Sequence, residues 1–211
     1  MSLPSKPDSK ILIINGSLGG SLGGASGNTG LALKKWADAL TSHAEIEWLH
    51  LADYFTKQSP DKAKLHSLLQ NADGFIFASG TYWDSWGSPL QRFLEHVTEL
   101  EGSDIWLGKP AAILITMHSV GGKEVLSRLQ GVLSTLGLII PPMSGMVLSL
   151  ANQLAAETPS EFANDFWQTP DLEILSHNLL EAIQQKKNQA PQWRAWNVDR
   201  KDPSRRWLKS H

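Results

Sequence analysis

The sequence predicts an α/β fold in which five parallel strands form one sheet with helices on both faces. Three observations predict this class. Short apolar segments recur at intervals of about 30 residues, the spacing of βαβ units. Segments with helical spacing of apolar residues lie between them, and neither an internal repeat nor an interdomain linker interrupts the alternation. The right-handed crossover rule then favours the doubly wound strand order 2-1-3-4-5.

Five segments of the chain are predicted to be strands. Four are almost purely apolar, as expected for strands buried on both faces of a parallel sheet, whereas the second alternates. They are Lys10–Asn15, Ile46–Leu51, Gly74–Ser79, Pro110–Met117 and a last region that Leu138–Ile140 and Met146–Leu150 share around Pro141 and Pro142.

Five segments are predicted to be helices, one after each strand. Ser88 is the expected N-cap of the third helix, with Pro89 in its first turn, and Gly137 is the expected stop of the fourth. The segments are Asn28–Ser42, Asp61–Asn71, Ser88–Leu100, Gly122–Leu136 and Asp171–Lys187.

Composition excludes several classes of function. The chain has 211 residues and a formal net charge of −2 at pH 7, which argues against a nucleic-acid partner. There is no cysteine, and the seven histidines lack zinc-binding spacing, so no metal site is expected. No apolar run approaches the roughly 20 residues of a spanning helix, and the first ten residues lack the apolar region of a signal peptide. We therefore expect a cytoplasmic protein with no membrane partner.

Three regions are expected along the chain. Residues 1–9 are rich in Ser, Pro and Lys and are predicted to be a disordered leader. Residues 10–190 are predicted to form the single folded domain. Residues 191–211 form a tail of different composition, with Trp193, Trp196 and Trp207 among Arg194, Arg200, Arg205 and Arg206.

The first loop at the carboxyl ends of the predicted strands runs from Gly16 to Gly30 and reads GSLGGSLGGASGNTG. Ligands of open parallel sheets bind at these ends, beside the switch in strand order. The loop enters a helix whose N-terminus attracts anions, and it contains neither a Rossmann G-x-G-x-x-G nor a Walker A motif. It is therefore predicted to bind a phosphate, the alternative being a flexible solvent loop. The predicted ligand residues are Ser17, Ser26, Gly27, Asn28 and Thr29.

The second loop, Gly80–Pro89, places three aromatic residues where a strand ends. Planar rings at this position can line a flat aromatic cofactor. The alternative is that they pack on the next helix or form an oligomer contact. The predicted ligand residues are Thr81, Tyr82, Trp83 and Asp84.

The third loop, His118–Gly122, combines a hydroxyl with a pair of glycines that allow a ligand close to the backbone. The predicted ligand residues are His118, Ser119, Gly121 and Gly122. A lone histidine at a strand end is more often structural or solvated than catalytic, so the alternative reading of His118 is a solvent-exposed side chain.

Three motifs, ILIINGS with SGNTG, GTYWDSWGSPLQRFLEH and LGKPAAILITMHSVGG, together resemble the NAD(P)H-dependent FMN reductase family over roughly residues 10 to 150. That family is related to flavodoxin and to the flavodoxin-fold quinone reductases. The resemblance implies a flavodoxin-like three-layer sandwich that binds FMN, uses NADPH or NADH as co-substrate and forms homodimers. It also implies a small electron acceptor: a quinone, an azo compound, a metal oxyanion or a flavin.

No catalytic side chain is expected for such an activity, because the flavin carries the hydride chemistry while the protein orients it. Backbone N–H groups of Trp83 and of the third loop are expected to stabilise negative charge on the flavin. The alternatives left open are a flavodoxin-type electron carrier and a binding module that has the fold without flavin activity.

The chain departs from the family pattern at three places. Leu18 and Gly19 stand where family members often carry an arginine, which leaves the nucleotide preference open. Gly80 replaces a frequent proline, and Trp83 replaces a frequent asparagine beside the expected edge of the isoalloxazine. The tail has no counterpart in the family pattern.

Overall fold

In a computed structural model, which describes residues 8–20, 27–56, 61–157, 166–189 and 191–196, five parallel strands form the central sheet. The strand order β2-β1-β3-β5-β6 is the predicted order once the short β4 is set aside, so the flavodoxin-like α/β class is confirmed. The strands are β1 (Lys10–Asn15), β2 (Glu45–His50), β3 (Gly74–Tyr82), β4 (Ser85–Trp86), β5 (Ala111–Met117) and β6 (Gly145–Ser149).

The helices cover both faces of the sheet, as predicted. Those on one face are α1 (Asn28–Leu40) and α7 (Leu172–Gln189). Those on the other are α2 (Leu51–Thr56), α3 (Lys62–Asn71), α4 (Ser88–His96) and α5 (Gly122–Leu136). A short helix, α6 (Leu150–Ala156), follows β6, and single 3-10 turns occur at Thr98–Leu100 and Thr169–Asp171.

The core consists of two apolar layers, because successive side chains of a strand point to opposite faces. Ile11 and Ile13 of β1 pack under α1 and α7, whereas Leu12 and Ile14 pack under the helices of the other face. Trp36 of α1 is fully buried and donates its Nε1 proton to Ser176 Oγ of α7 at 2.8 Å. The polar end of this large side chain therefore links two neighbouring helices.

Local signals set the helix ends, with one correction. Asp61 caps α3 by accepting a hydrogen bond from the Lys64 backbone, and Gly137 ends α5 in the left-handed conformation, as predicted. The prediction that Ser88 caps α4 is wrong by one residue. Gly87 is the N-cap, because its carbonyl accepts the first bonds of the helix, from Leu90 and Gln91, and Ser88 is already helical.

Two further observations concern the ends of the chain and the helices. The described tail residues lie on the domain: Trp193 packs against Gly108, and Trp196 Nε1 donates to Glu101 Oε1 at 2.8 Å.

Among the helices of the described residues, none is long and apolar enough to cross a membrane. The predicted disordered leader falls mostly on residues 1–7, outside the described residues, and stays a prediction.

Candidate functional site

A cleft of about 220 Å³ lies at the carboxyl ends of β1, β3 and β5, where the three predicted loops meet. The switch in strand order leaves this space open between the first loop and the β3 turn. Its lining consists of Ser17, Leu18, Gly19, Gly27, Asn28, Thr29, Gly80, Thr81, Tyr82, Thr116, Met117 and His118.

The N-terminus of α1 forms one wall of the cleft. Gly27 is the N-cap, with no side-chain cap, and its carbonyl accepts from the Leu31 backbone. The backbone N–H groups of Asn28, Thr29 and Gly30 therefore have no partner within the helix. Such a helix end attracts an anion through these donors and the helix dipole. The predicted Ser26 lies outside the described residues.

Thr29 and Thr116 bring two hydroxyl groups to the floor of the cleft. Their Oγ1 atoms are 2.6 Å apart, and both residues are buried. One hydroxyl donates to the other, so one O–H of the pair is left to donate to a ligand. The sequence reading missed Thr116, although a polar residue at the carboxyl end of the apolar strand β5 is the signal that could have identified it.

The second loop is a β-hairpin, which the sequence reading missed. β3 continues past its predicted end to Tyr82, which pairs with Ser85 of β4. Trp83 and Asp84 form the two-residue turn, with φ angles of 50° and 57°. Positive φ at both positions is the geometry that suits the twist of a hairpin.

Three contacts hold this hairpin in place. Gly87 N–H donates to Ser79 Oγ at 2.9 Å, and Ser79 is fully buried. Arg128 of α5 donates to the Asp84 carbonyl at 3.2 Å, and its guanidinium lies 5.1 Å from the centre of the Trp86 ring. The edge of the cleft is therefore fixed from the core and from α5.

The three aromatic residues of this loop separate in space. Tyr82 lines the cleft, whereas Trp83 is completely exposed at the tip of the turn and does not line it. Trp86 faces α4 and α5 and donates to Gln91 Oε1 at 2.9 Å. A contact of Trp83 with a flavin edge stays a prediction.

The third loop contributes His118 to the cleft, while Ser119 lies exposed beside it. Gly121 has a φ of 85°, and the Asp84 carboxylate occupies the position that a Cβ would need. This position therefore requires glycine for both its conformation and its close approach to the hairpin. Gly122 begins α5 and is buried, with its N–H donating to Met117 Sδ at 3.3 Å.

The described lining contains no Lys, Arg, Asp or Glu. An anionic ligand would therefore be held by hydroxyls and backbone N–H groups, which suits a phosphate at the α1 end of the cleft. The hydroxyl of Thr81, on the hairpin side, is buried and has no hydrogen-bond partner among the described residues. Such an atom costs stability until a partner is supplied, so the donor set fits the phosphate of FMN at the α1 end and leaves one unpaired hydroxyl on the hairpin side.

No group of three potential metal-ligating side chains occurs within the part of the chain that the structure describes.

Comparisons with known proteins agree with this fold. The fold matches an oxidoreductase from Corynebacterium diphtheriae with a TM-score of 0.65 at 15% identity, over 86% of this chain and 99% of that one. It matches FerB, a flavoenzyme NAD(P)H:(acceptor) oxidoreductase from Paracoccus denitrificans, with a TM-score of 0.56 at 18% identity, over 85% and 98%. It also matches RosB, solved with 8-demethyl-8-formylriboflavin-5'-phosphate, with a TM-score of 0.62 at 15% identity, over 96% of each chain.

These identities are low enough that the structural matches establish the fold alone. A search of curated proteins found no match. The sequence model of one family, described as NADPH-dependent FMN reductase, matches residues 9–153, which is more than half of the chain and includes all three loops of the cleft. The chain therefore belongs to the NADPH-dependent FMN reductase family.

Proposed function

We propose that this protein is an FMN-dependent oxidoreductase that takes reducing equivalents from NADH or NADPH and delivers them to a small-molecule acceptor. The observation that carries the proposal is the family match, which spans a cleft whose donors suit a flavin phosphate. The acceptor classes we propose are quinones, azo compounds, metal oxyanions and free flavins. We also propose that the protein acts in the cytoplasm.

The residues of the cleft have distinct parts in this proposal. The N–H groups at the start of α1 and the hydroxyl of Thr29 hold the phosphate, together with Ser17. Thr81, Tyr82 and His118 contact the rest of the cofactor along the opposite wall. FMN, when bound, supplies the redox chemistry by accepting hydride from a nicotinamide and passing electrons on.

The protein contributes orientation and electrostatics rather than a nucleophile. In this proposal the hairpin and the third loop offer backbone N–H groups to the flavin, at an edge that Arg128 holds by donating to the Asp84 carbonyl. Fixed donors of this kind stabilise developing negative charge without reorganising during the reaction. The open cleft gives a second substrate access to the same edge.

The first experiment is an absorption spectrum of the purified protein, with mass spectrometry of any ligand that denaturation releases. We expect a flavin spectrum and the mass of FMN. The spectrum should bleach on addition of NADH or NADPH and recover when a quinone is added. Release of FAD or a nicotinamide dinucleotide would contradict the cofactor assignment.

The same preparation separates the alternatives. Steady oxidation of NADH or NADPH by the pure protein supports an enzyme. A protein that holds FMN but is not reduced by either nucleotide would instead be an electron carrier of the flavodoxin type, which requires a partner protein. A colourless protein that cannot be reconstituted with FMN would be a binding module.

We further propose that the protein is a homodimer. A groove of about 600 Å³ runs between α4 and α5, where Trp86, Leu94, Val132 and Leu136 lie among polar and charged side chains that include Glu95, Glu101 and Arg128. Trp83, next to this groove along the hairpin, is completely exposed. Exposed apolar surface of this kind favours self-association.

A further inference from the structure

We propose that His50 positions the phosphate-binding loop through Asn15, and that protonation of His50 releases this loop and weakens the binding of FMN. The inference rests on the proposed function, because FMN is its ligand. The residues lie behind the cleft, at the carboxyl ends of β1 and β2, where Asn15 and His50 are paired across the sheet.

The hydrogen bonds leave one arrangement of the Asn15 amide. The Ser17 backbone N–H donates to Asn15 Oδ1 at 3.0 Å, and a backbone N–H can only donate. The other end of the amide, Nδ2, therefore faces His50 Nδ1, which is 3.1 Å away. Because an amide NH₂ also only donates, Nδ1 must accept this bond, and the proton of the neutral imidazole is on Nε2.

Protonation of His50 conflicts with this arrangement. An imidazolium carries a proton on both ring nitrogens, so Nδ1 would point a donor at the donor Nδ2. Turning the amide over would only move the same conflict to the Ser17 N–H. Asn15 is fully buried, which makes an unsatisfied amide costly. One of the two bonds must therefore break, and the bond to Ser17 is the one that fixes the start of the loop.

The surroundings favour the neutral ring. Burial lowers the pKa of His50, and this effect outweighs the carboxylate of Asp53, which raises it. Trp48 on the same strand stacks on the imidazole with ring centres 5.3 Å apart, and β1 presents the uncharged Asn15. Asp53, on α2, is the facing charged group among the described residues. With a folded-state pKa below 6.5, the neutral, loop-holding form dominates at neutral pH and is lost as the pH falls through that pKa.

Asp53 provides a second, electrostatic route from His50 to the loop. Its carboxylate occupies the position that a Cβ on Gly20 would need, and Gly20 adopts a φ of 57°. An imidazolium at position 50 would attract this carboxylate, which lies against the loop that Ser17 begins. Both routes therefore disturb the same segment when His50 gains a proton.

The test is a titration of the apoprotein with FMN, followed by quenching of flavin fluorescence at pH values from 5 to 8. Three proteins are compared: the native chain, His50→Asn, which keeps an acceptor near Nδ1 but does not titrate, and His50→Leu, which has none. The FMN phosphate also titrates near pH 6, but it does so equally for all three. The quantity of interest is therefore the ratio of native to H50N affinity.

We expect this ratio to fall as the pH drops through the midpoint of the His50 ring, which the NMR titration below measures, toward a limit of about fivefold, the factor that one neutral hydrogen bond is worth. The H50L protein should bind FMN about fivefold more weakly than the native chain at pH 7.5 for the same reason, and H50N should lie closer to the native value. A ratio that stays constant while the His50 ring gains its proton overturns the proposal.

A second measurement uses the apoprotein and does not depend on FMN. The amide signal of Ser17 in an NMR titration should shift with the same midpoint as the His50 ring and should not do so in H50N. If the chemical shift of the Ser17 amide does not change as the His50 ring titrates, the positioning role is overturned. If no variant binds FMN at any pH, the proposed function fails, while the Ser17 signal still reports whether His50 controls the loop.

Discussion

At the scale of single residues, the pair of hydroxyls from Thr29 and Thr116 decides whether the cleft can hold a phosphate without a cation. In our reading, Thr116 donates to Thr29, and the Thr29 hydroxyl donates to the phosphate. A hydrogen bond to a charged group is worth about 1.5–3 kcal/mol. Thr29→Val should therefore lower FMN affinity by at least about tenfold, since Val keeps the shape and removes the donor.

The matched control is Thr116→Val, which removes only the group that orients Thr29. Its effect on FMN affinity should be clearly smaller, as measured by fluorescence titration of the two apoproteins. Neither variant should lose the fold, because Val keeps the shape of Thr and the one buried hydroxyl left without its partner costs about 1–3 kcal/mol. Equal affinity of T29V and the native chain would place the phosphate elsewhere.

Lys109 shows a different use of a polar side chain in a buried place. Its ammonium donates to the carbonyls of Leu69 and Gln70 at 3.2 and 2.9 Å, where α3 ends. Burial lowers the pKa of Lys109 to about 8, with Lys186 acting in the same direction and Asp73 and Asp104 opposing. The residue thus stabilises a helix end while its own charge is poorly solvated.

The pH dependence of stability follows from this shift. In the unfolded chain the lysine keeps its proton up to a pKa near 10.5, so between pH 8 and 10.5 the unfolded state binds more protons than the folded state. The contribution of Lys109 to the free energy of unfolding therefore rises with pH in that window. In urea unfolding, the free energy of unfolding of the native chain should rise relative to that of Lys109→Met by about 1–2 kcal/mol from pH 7.5 to 9.5. A constant difference would contradict the shift.

At the scale of elements, the hairpin depends on the third loop. An alanine at Gly121 would have to adopt a φ of 85° and would meet the Asp84 carboxylate. Gly121→Ala should lower the free energy of unfolding by roughly 1–3 kcal/mol and should also weaken FMN binding, since both loops border the cleft. Chemical unfolding and FMN titration measure the two effects.

Asp84→Ala serves as the partner in a double-mutant cycle. The double variant G121A/D84A removes the steric conflict but retains the strained φ, so it should recover part of the lost stability and part of the FMN affinity. If the changes in the free energy of unfolding of G121A and D84A simply add up in the double variant, the two residues do not interact.

Sequence patterns predicted the long elements because each carries a full apolar face. β1 begins and ends where predicted, as does the helix Gly122–Leu136, which has a left-handed glycine at its end. The elements that were missed are short: α2, α6 and the two-residue strand β4. In such segments tertiary contacts outweigh the local pattern, as the bond from Arg128 to the Asp84 carbonyl, 44 residues apart, shows for the hairpin.

The position of the candidate site could be predicted from the sequence, but the contacts of its individual residues could not. The strand ends and the switch in strand order identify the three loops without any coordinates. The neighbouring residues Thr116, Asn15 and His50 were not identified, because they meet partners that are distant in the sequence: Thr116 pairs with Thr29, and Asn15 with His50. Of the aromatic residues predicted to line a flat cofactor, Tyr82 lines the cleft, whereas Trp83 is exposed at the hairpin turn and its contact with a flavin stays a prediction.

At the scale of the whole molecule, the groove between α4 and α5, which we propose as the dimer interface, lies beside the cleft. Trp86 lies at one end of this groove and belongs to the hairpin that borders the cleft. Burying the groove against a second copy would therefore place the partner next to the bound cofactor. The opposite face of the sheet has a matched exposed apolar side chain, Ile174 on α7, which serves as a control.

Light scattering at micromolar concentration should give a mass near twice the 23.2 kDa of one chain. Val132→Glu replaces an apolar contact in the groove by a third carboxylate beside Glu95 and Glu101 and should shift the protein to monomers, because burying a charge without a partner is unfavourable. Ile174→Glu adds the same charge on the other face and should leave the dimer intact. A native protein that is already monomeric contradicts the dimer. A V132E protein with the native mass would place the interface on another surface, and the exposed Trp83 would then be the next residue to substitute.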